Sequence, residues 1–208
     1  MSRIELHNVD CLPFMKQCSD KQFDLAIVDP PYGIGAGKMQ MGKGKNKQWN
    51  NGKDWDSSVP SQEYFTELFR ISQNQIIWGG NYFDLTKTGG WIYWNKLRDK
   101  DISFADGELA WTSFLKNIKQ IDLKYDGFLG ADPERIHPTQ KPVALYKWLL
   151  HKYAKPGDKI IDTHLGSGSI ALACEEYGYD LTACEIDKEY FEAASKRLSD
   201  YRVQMRLF

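Results

Sequence analysis

The sequence predicts an α/β fold in which a mostly parallel sheet carries helices on both faces. Three observations lead there. Phe23 to Val28 form a near-continuous apolar run, the pattern of a central parallel strand covered on both sides. Residues 159–177 read as strand, small-residue glycine turn and helix, the shape of a mononucleotide-binding unit. At the start of the chain, strand, helix and strand follow one another and feed directly into a rigid turn, Asp29-Pro30-Pro31-Tyr32.

Arg3 to His7 alternate as a half-buried strand does, and Asn8-Val9-Asp10 break the pattern before a short helix over Cys11 to Gln17. After the strand at 23–28 and the double-proline turn, Gly33 to Lys53 alternate six glycines with five lysines and contain no acid. That is a basic loop longer than ordinary connections. Tyr64, Phe65, Leu68 and Ile71 fall at helical spacing within Pro60 to Ser72, with Ser58 or Ser61 as N-cap. Gln75 to Trp78 and Trp91 to Trp94 are aromatic and apolar runs bounded by Gly79-Gly80 and Gly89-Gly90, which predicts two strands. Glu108 to Thr112 is a further candidate strand, and residues 113–136 show no period. Pro142 falls in the first turn of a helix whose Tyr146, Leu149, Leu150 and Tyr153 form one apolar stripe, closed by Pro156-Gly157. Strand Lys159 to Asp162, helix Ile170 to Tyr177, strand Asp180 to Cys184 and a charged amphipathic helix Glu189 to Tyr201 complete the chain.

A length of 208 residues gives room for one substantial core and is short for two domains. One domain over 1–208 is expected, with a Gly/Lys-rich loop at 33–55 and no large separate domain beside it. A net charge of -1 names no acidic or basic partner by itself, so local patterning carries that question. There is no 18-residue apolar run and no basic-then-apolar leader, which reads as a soluble, untargeted, cytoplasmic protein with no membrane partner. Four cysteines without a C-x-x-C pair and four histidines without an H-x-x-x-H repeat argue against a metal or a disulfide framework. Cys174 and Cys184 are expected to behave as small core hydrophobes. No pattern specifies self-association, and a homodimer is compatible with the sequence without being encoded in it.

Two consecutive prolines hold Asp29, a carbonyl without a neighbouring N–H and the Tyr32 ring in fixed relation, at the carboxyl end of a parallel strand where α/β ligand crevices lie. The plain alternative is a strand-ending Asp-Pro turn. Asp162-Thr163-His164-Leu165-Gly166-Ser167-Gly168-Ser169 lacks the G-x-G-x-x-G spacing and any following G-K-[ST], so a nucleoside without phosphates fits it better than a pyrophosphate. Glu185 ends the next strand about twenty residues on, where an acid accepts from both ribose hydroxyls. Asp10 either accepts from a base amino group or caps the helix beginning near Leu12. Lys38, Lys43, Lys45, Lys47 and Lys53 are candidates to pair with phosphates. Trp91, Trp94 and Trp111 fit a core, whereas Trp49 and Trp55, flanked by polar residues, are candidate base-stacking platforms.

Together these residues make the chain resemble the amino-group DNA methyltransferases that use S-adenosylmethionine, in the class whose catalytic motif precedes the cofactor motif. Asp29-Pro30-Pro31-Tyr32 resembles the catalytic motif, and Trp91 to Lys96 with Glu108 the later strand pair. His137-Pro138-Thr139-Gln140-Lys141-Pro142 resembles the segment before the cofactor helix, Pro156-Gly157-Asp158 the approach to the cofactor strand, Asp162 to Ser169 the cofactor turn, and Glu185 the ribose acid. The resemblance implies a Rossmann-like class I methyltransferase fold with a seven-stranded sheet in circularly permuted motif order. It implies Asp29, Pro30, Pro31 and Tyr32 as catalytic residues. It also implies a cofactor site from Asp10, Cys11, Asp29, Lys141, Pro142, Asp162, His164, Gly166, Ser167, Gly168, Ser169, Glu185 and Ile186. The family usually has Pro and Phe where this chain has Thr163 and His164, and Thr where it has Ser169.

The activity so implied is site-specific methylation of the N6 amine of adenine in DNA, since the family associates an opening Asp with adenine. N4 of cytosine is the alternative target, an RNA or protein amide an alternative substrate, and a non-catalytic nucleic-acid-binding module the reading outside enzymes. A conjugated exocyclic amine is a poor nucleophile, and hydrogen bonds from its two hydrogens to the Asp29 carboxylate and the Pro30 carbonyl direct its lone pair toward a methyl donor. Tyr32 is expected to stack on a base extruded from the duplex. With no large insertion between Glu108 and His137 to read sequence, the Gly/Lys loop with Lys38, Lys43, Lys45, Lys47, Trp49 and Lys53 is the expected DNA-binding element.

Overall fold

The computed structural model describes residues 2–36, 54–98, 105–114, 117–125, 136–137 and 139–206. The strands are β1 (Ile4–His7), β2 (Phe23–Val28), β3 (Ser72–Trp78), β4 (Trp91–Asn95), β5 (Gly107–Thr112), β6 (Lys119–Asp122), β7 (Lys159–Asp162) and β8 (Asp180–Cys184). The helices are α1 (Cys11–Gln17), α2 (Gln62–Ile71), α3 (Val143–Tyr153), α4 (Ser169–Tyr177) and α5 (Lys188–Arg206), with a 3-10 turn at Gly80–Tyr82.

All eight strands form one sheet in the order β1-β8-β7-β2-β3-β5-β4-β6. Every neighbouring pair is parallel except those involving β5, which runs against β3 and β4. The expectation of a mostly parallel α/β sheet therefore holds, with eight strands in place of seven. The addition is β6, which pairs in parallel with β4. Its sequence, Lys-Gln-Ile-Asp, holds one apolar residue and lies half-exposed at the sheet edge, so it has no alternation to read.

β2 and β7 pair in register Leu25 to Ile160 and Ala26 to Ile161, so strands from opposite ends of the chain sit side by side at the centre. Alternate residues of these strands feed two cores. Leu25, Ile27, Ile76, Trp78 and Ile160 face α3, α4 and α5. Phe23, Ala26, Val28, Ile77 and Ile161 face α1 and α2. Each such aliphatic side chain contributes about 1.5–3 kcal/mol on leaving water, and burial on both faces is why the strands read as continuous apolar runs.

Local signals set the helix starts. The Asp10 carboxylate accepts the Leu12 N–H at 2.9 Å and caps α1, and Ser61 caps α2 through the Tyr64 N–H at 3.3 Å. Pro142 is the cap residue of α3, one position before the first turn. Trp94 and Trp111 are buried, as are Cys174 and Cys184, and all four thiols are free. Among the described residues no helix is long and apolar enough to cross a membrane.

Candidate active site

The turn after β2 is fixed from outside itself. Tyr32 and Gly33 provide the first N–H groups after the two prolines, and both donate to Asp56 Oδ1, at 2.6 and 2.9 Å. Ala36 donates to Asp56 Oδ2 at 2.7 Å, and Gly35 to the Asp56 carbonyl at 3.0 Å. Asp56 is buried. One carboxylate thus satisfies three backbone donors that neither helix nor sheet could serve. Gly33 and Gly35 turn the chain with φ of +71° and +73°, a region costly to side chains.

Asp29 stands at the head of this turn, and its two oxygens are both engaged. The Tyr32 hydroxyl donates to Oδ1 at 2.7 Å and Lys141 Nζ donates to Oδ2 at 2.5 Å. Lys141 Nζ also lies 3.0 Å from Glu108 Oε2, and Lys96 Nζ donates to Glu108 Oε1 at 2.5 Å. Asp29, Lys141, Glu108 and Lys96 form a row of alternating charge brought together from β2, the segment before α3, β5 and the end of β4. Burial pushes the Asp29 carboxyl up, and Lys141 opposes that push. At Glu108 burial is outweighed by Lys141 and Lys96, which hold its carboxyl down. Lys141 keeps its proton because the two carboxylates outweigh its own burial. The Tyr32 ring stacks on Tyr82 with centroids 5.0 Å apart and 12° between planes, and Phe83 meets it edge-on. Beneath it Gly79, at φ +69°, has no room for a Cβ against the Tyr32 ring.

The glycine turn after β7 lies beside this centre. Asp162 is 1% exposed and accepts the His164 N–H at 2.9 Å. Burial, with Asp29 and Glu185 adding to it, raises the Asp162 carboxyl to about 8. Glu185 accepts one backbone N–H on each oxygen, from Gly166 at 2.8 Å and Asp187 at 2.9 Å. Each oxygen keeps a second lone pair for an outside donor. Burial also raises the Glu185 carboxyl. Cys11 is under the influence of Asp10, Asp162 and Glu185 together, which with burial push its thiol up to about 12. Asp10, Asp162 and Glu185 thus all lie near enough to Cys11 to act on it. Such a donor set fits S-adenosylmethionine, which brings an ammonium and a sulfonium for the carboxylates and ribose hydroxyls for Glu185.

Asp29, Tyr32, Lys141, Asp162, His164, Gly166 and Glu185 belong to this neighbourhood. Asp10 serves as the α1 cap, the plainer of its two readings, and Ile186 is exposed at the rim. Ser167 and Ser169 are buried with their hydroxyls 3.1 Å apart, and Arg197 of α5 donates to the Ser167 carbonyl and the Ser169 hydroxyl, both at 3.0 Å. Their bonds run toward α5. Gly168 packs on Ala194, and Pro142 caps α3 above Lys141. His164 stays neutral because burial lowers it to about 4, and its Nδ1 lies 2.9 Å from the Thr163 hydroxyl, which in turn meets the Tyr64 hydroxyl at 2.7 Å. The unusual pair Thr163-His164 is thus tied to α2. Trp55 packs against His137 at 5.2 Å, and His137 against Tyr190 at 4.4 Å. Lys38, Lys43, Lys45, Lys47, Trp49, Lys53 and Pro138 lie outside the described residues. The sequence reading missed Asp56, Tyr82 and the pairing of Lys141 with Asp29 and Glu108.

Comparison with known proteins agrees with this geometry. The family model described as DNA methylase, of the N6/N4 type, matches residues 109–196. The Type II methyltransferase M.HpaI of Haemophilus parainfluenzae is 25% identical over 230 residues, covering 88% of this chain and 70% of the relative. M2.DpnII of Streptococcus pneumoniae, another Type II methyltransferase, is 22% identical over 242 residues, covering 95% and 90%. Among solved structures, the M1.HpyAVI–SAM complex superposes with a TM-score of 0.62 at 19% identity, covering 93% of this chain and 99% of that one. PvuII DNA methyltransferase, described as cytosine-N4-specific, gives 0.60 at 14% identity, covering 97% and 92%. The fold is that of the class I methyltransferases. The chain is similar to the amino-group DNA methyltransferases of the N6/N4 family.

Proposed function

We propose that this chain methylates the N6 amine of adenine in DNA, acting in the cytoplasm, with Asp29 as the residue that activates the amine. The observation that carries the reading is the Asp29 carboxylate, held by Tyr32 and Lys141 at the carboxyl end of β2, one strand away from the acid-lined glycine turn. S-adenosylmethionine, when bound, supplies a methyl on a sulfonium sulfur that leaves as a neutral thioether when the methyl goes to nitrogen. The protein's part is to hold the amine. Asp29 and the Pro30 carbonyl accept its two hydrogens, directing the lone pair, and Asp29 takes the proton that the nitrogen releases. Positioning and electrostatics suffice, with no covalent enzyme intermediate. Tyr32 stacks on the extruded base with the ring face that Tyr82 leaves uncovered. Glu185 binds the ribose and Asp162 faces the ammonium of the cofactor.

The Asp that opens the motif favours adenine. N4 of cytosine is the second reading, favoured by the fold likeness to the cytosine-N4-specific PvuII enzyme. Mass spectrometry of nucleosides from duplex DNA, RNA and protein incubated with labelled cofactor tests both. N6-methyladenine from DNA is the expected product; N4-methylcytosine alone overturns the choice of base, and label only in RNA or protein overturns DNA as substrate.

A further inference from the structure

The resemblance assigns Lys141 to the cofactor, but the structure gives its ammonium other company. Its Nζ donates to Asp29 Oδ2 at 2.5 Å and lies 3.3 Å from the Tyr32 hydroxyl, 3.0 Å from Glu108 Oε2 and 5.3 Å from the centre of the Trp78 ring. Its side chain is 4% exposed. We propose that Lys141 is a positioning residue for catalysis, clamped by Glu108, whose ammonium keeps Asp29 ionised and aimed so that it can accept the amine hydrogen and then the released proton. This deepens the proposed function and rests on Asp29 acting on the amine.

A buried carboxylate pays for ionisation in desolvation unless a cation stands beside it. Among the described residues the groups that act on Asp29 are few. Tyr32 donates from its own turn, and Lys141 supplies the positive charge from the segment before α3. Glu108 of β5 adds a like charge, itself held by Lys96, while Tyr64 of α2, Tyr146 of α3 and Asp162 of β7 also sense Asp29. Of these only Lys141 is a cation in direct contact with Asp29. Glu108 has a separate task. With one oxygen held by Lys96 and the other 3.0 Å from the Lys141 ammonium, it holds that ammonium against Asp29 Oδ2. The ammonium keeps its proton throughout: the amine proton passes to the Asp29 carboxylate, which becomes a carboxylic acid and returns the proton to water after product leaves.

Two readouts test this in Lys141→Gln and Glu108→Gln. The first is the Asp29 carboxyl titration followed by carbon-13 NMR with labelled Asp, assigned through Asp29→Asn; it needs no methyl acceptor, so it stands even if the base is cytosine or the substrate is not DNA. The second is the pH profile of kcat on whichever acceptor the wild type methylates. In Lys141→Gln the Asp29 titration and the acid limb of kcat should both move up by about one pH unit or more, with S-adenosylmethionine affinity by calorimetry kept within about threefold. In Glu108→Gln, where a like charge is lost and Lys141 remains, the Asp29 titration should move down or stay. An Asp29 titration unchanged in Lys141→Gln overturns the proposal, as does a loss of cofactor affinity with the acid limb unmoved. Should Lys141→Gln fail to fold, Lys141→Met is read in the same way, and an unchanged Asp29 titration there overturns the proposal.

Discussion

Asp56 Oδ1 accepts the Tyr32 N–H at 2.6 Å across 24 positions of sequence. The residue that stiffens the Asp-Pro-Pro-Tyr turn therefore comes from the far side of the Gly/Lys segment. Asp56→Ala leaves three N–H donors without their partner, each costing about 1–3 kcal/mol where water cannot replace it. We expect a loss of about 2–4 kcal/mol in unfolding free energy and a fall in kcat of about tenfold or more, with cofactor affinity nearly kept. Denaturant unfolding and calorimetry check this, and an unchanged stability with full kcat would remove Asp56 from the account.

In the proposed site, an Asp162 that pairs with the cofactor ammonium makes cofactor binding pH-dependent. Its folded-state carboxyl is raised to about 8 from an ordinary 3.8, so in the free protein it is mostly neutral below about 8. Pairing with an ammonium requires its anion, so binding releases a proton, and affinity should rise up to about tenfold per pH unit until the pH reaches about 8. For folding the sign is opposite to that of an ion-paired acid. The contribution from this group is complete below its unfolded value and is lost as pH rises through its folded one. Asp162→Asn should bind cofactor weakly and without this slope; calorimetry at several pH values reads both, and a flat wild-type curve would sink the assignment.

Glu185→Ala removes the proposed ribose acceptor and the partner of the Gly166 and Asp187 N–H groups. Binding should weaken by about ten- to a hundredfold while kcat at saturating cofactor changes little, because the lost contact serves ground state and transition state alike. Equal loss in kcat at saturation would place Glu185 in the chemistry instead.

Much of the fold was legible because buried parallel strands repeat a plain signal. The runs at 23–28 and 159–162 are apolar on both faces, and the structure pairs them at the centre of the sheet. β6 was not legible, since a four-residue edge strand with one apolar residue carries no period. At the candidate site, Asp29, Glu185 and the glycine turn follow directly on strand ends, as their apolar runs indicated. Asp56 did not, because a buried acid that serves backbone donors looks in sequence like any polar loop residue. Lys141 was noticed in its proline-flanked segment, but its partners Asp29 and Glu108 are 112 and 33 positions away, and only tertiary structure brings them to it.

The five lysines between Gly33 and Lys53 are expected to meet phosphates. Each phosphate neutralised on B-DNA contributes about -0.9 to the slope of log affinity against log salt. Ordering a loop costs entropy, so fewer than five should engage. Replacing Lys43, Lys45 and Lys47 by Gln should flatten the slope by about two units, weaken binding across DNA sequences and leave cofactor affinity intact. An unchanged slope would make the loop a solvated connection.

The central claim, that Asp29 drives methylation of adenine in DNA, is tested most directly by modification-sensitive sequencing of DNA from a host expressing the wild type or Asp29→Ala. The account predicts N6-methyladenine at defined sites with the wild type and none with Asp29→Ala, whose purified protein still binds S-adenosylmethionine. Adenine methylation at the wild-type level in Asp29→Ala, or N4-methylcytosine as the sole modification with the wild type, would contradict it.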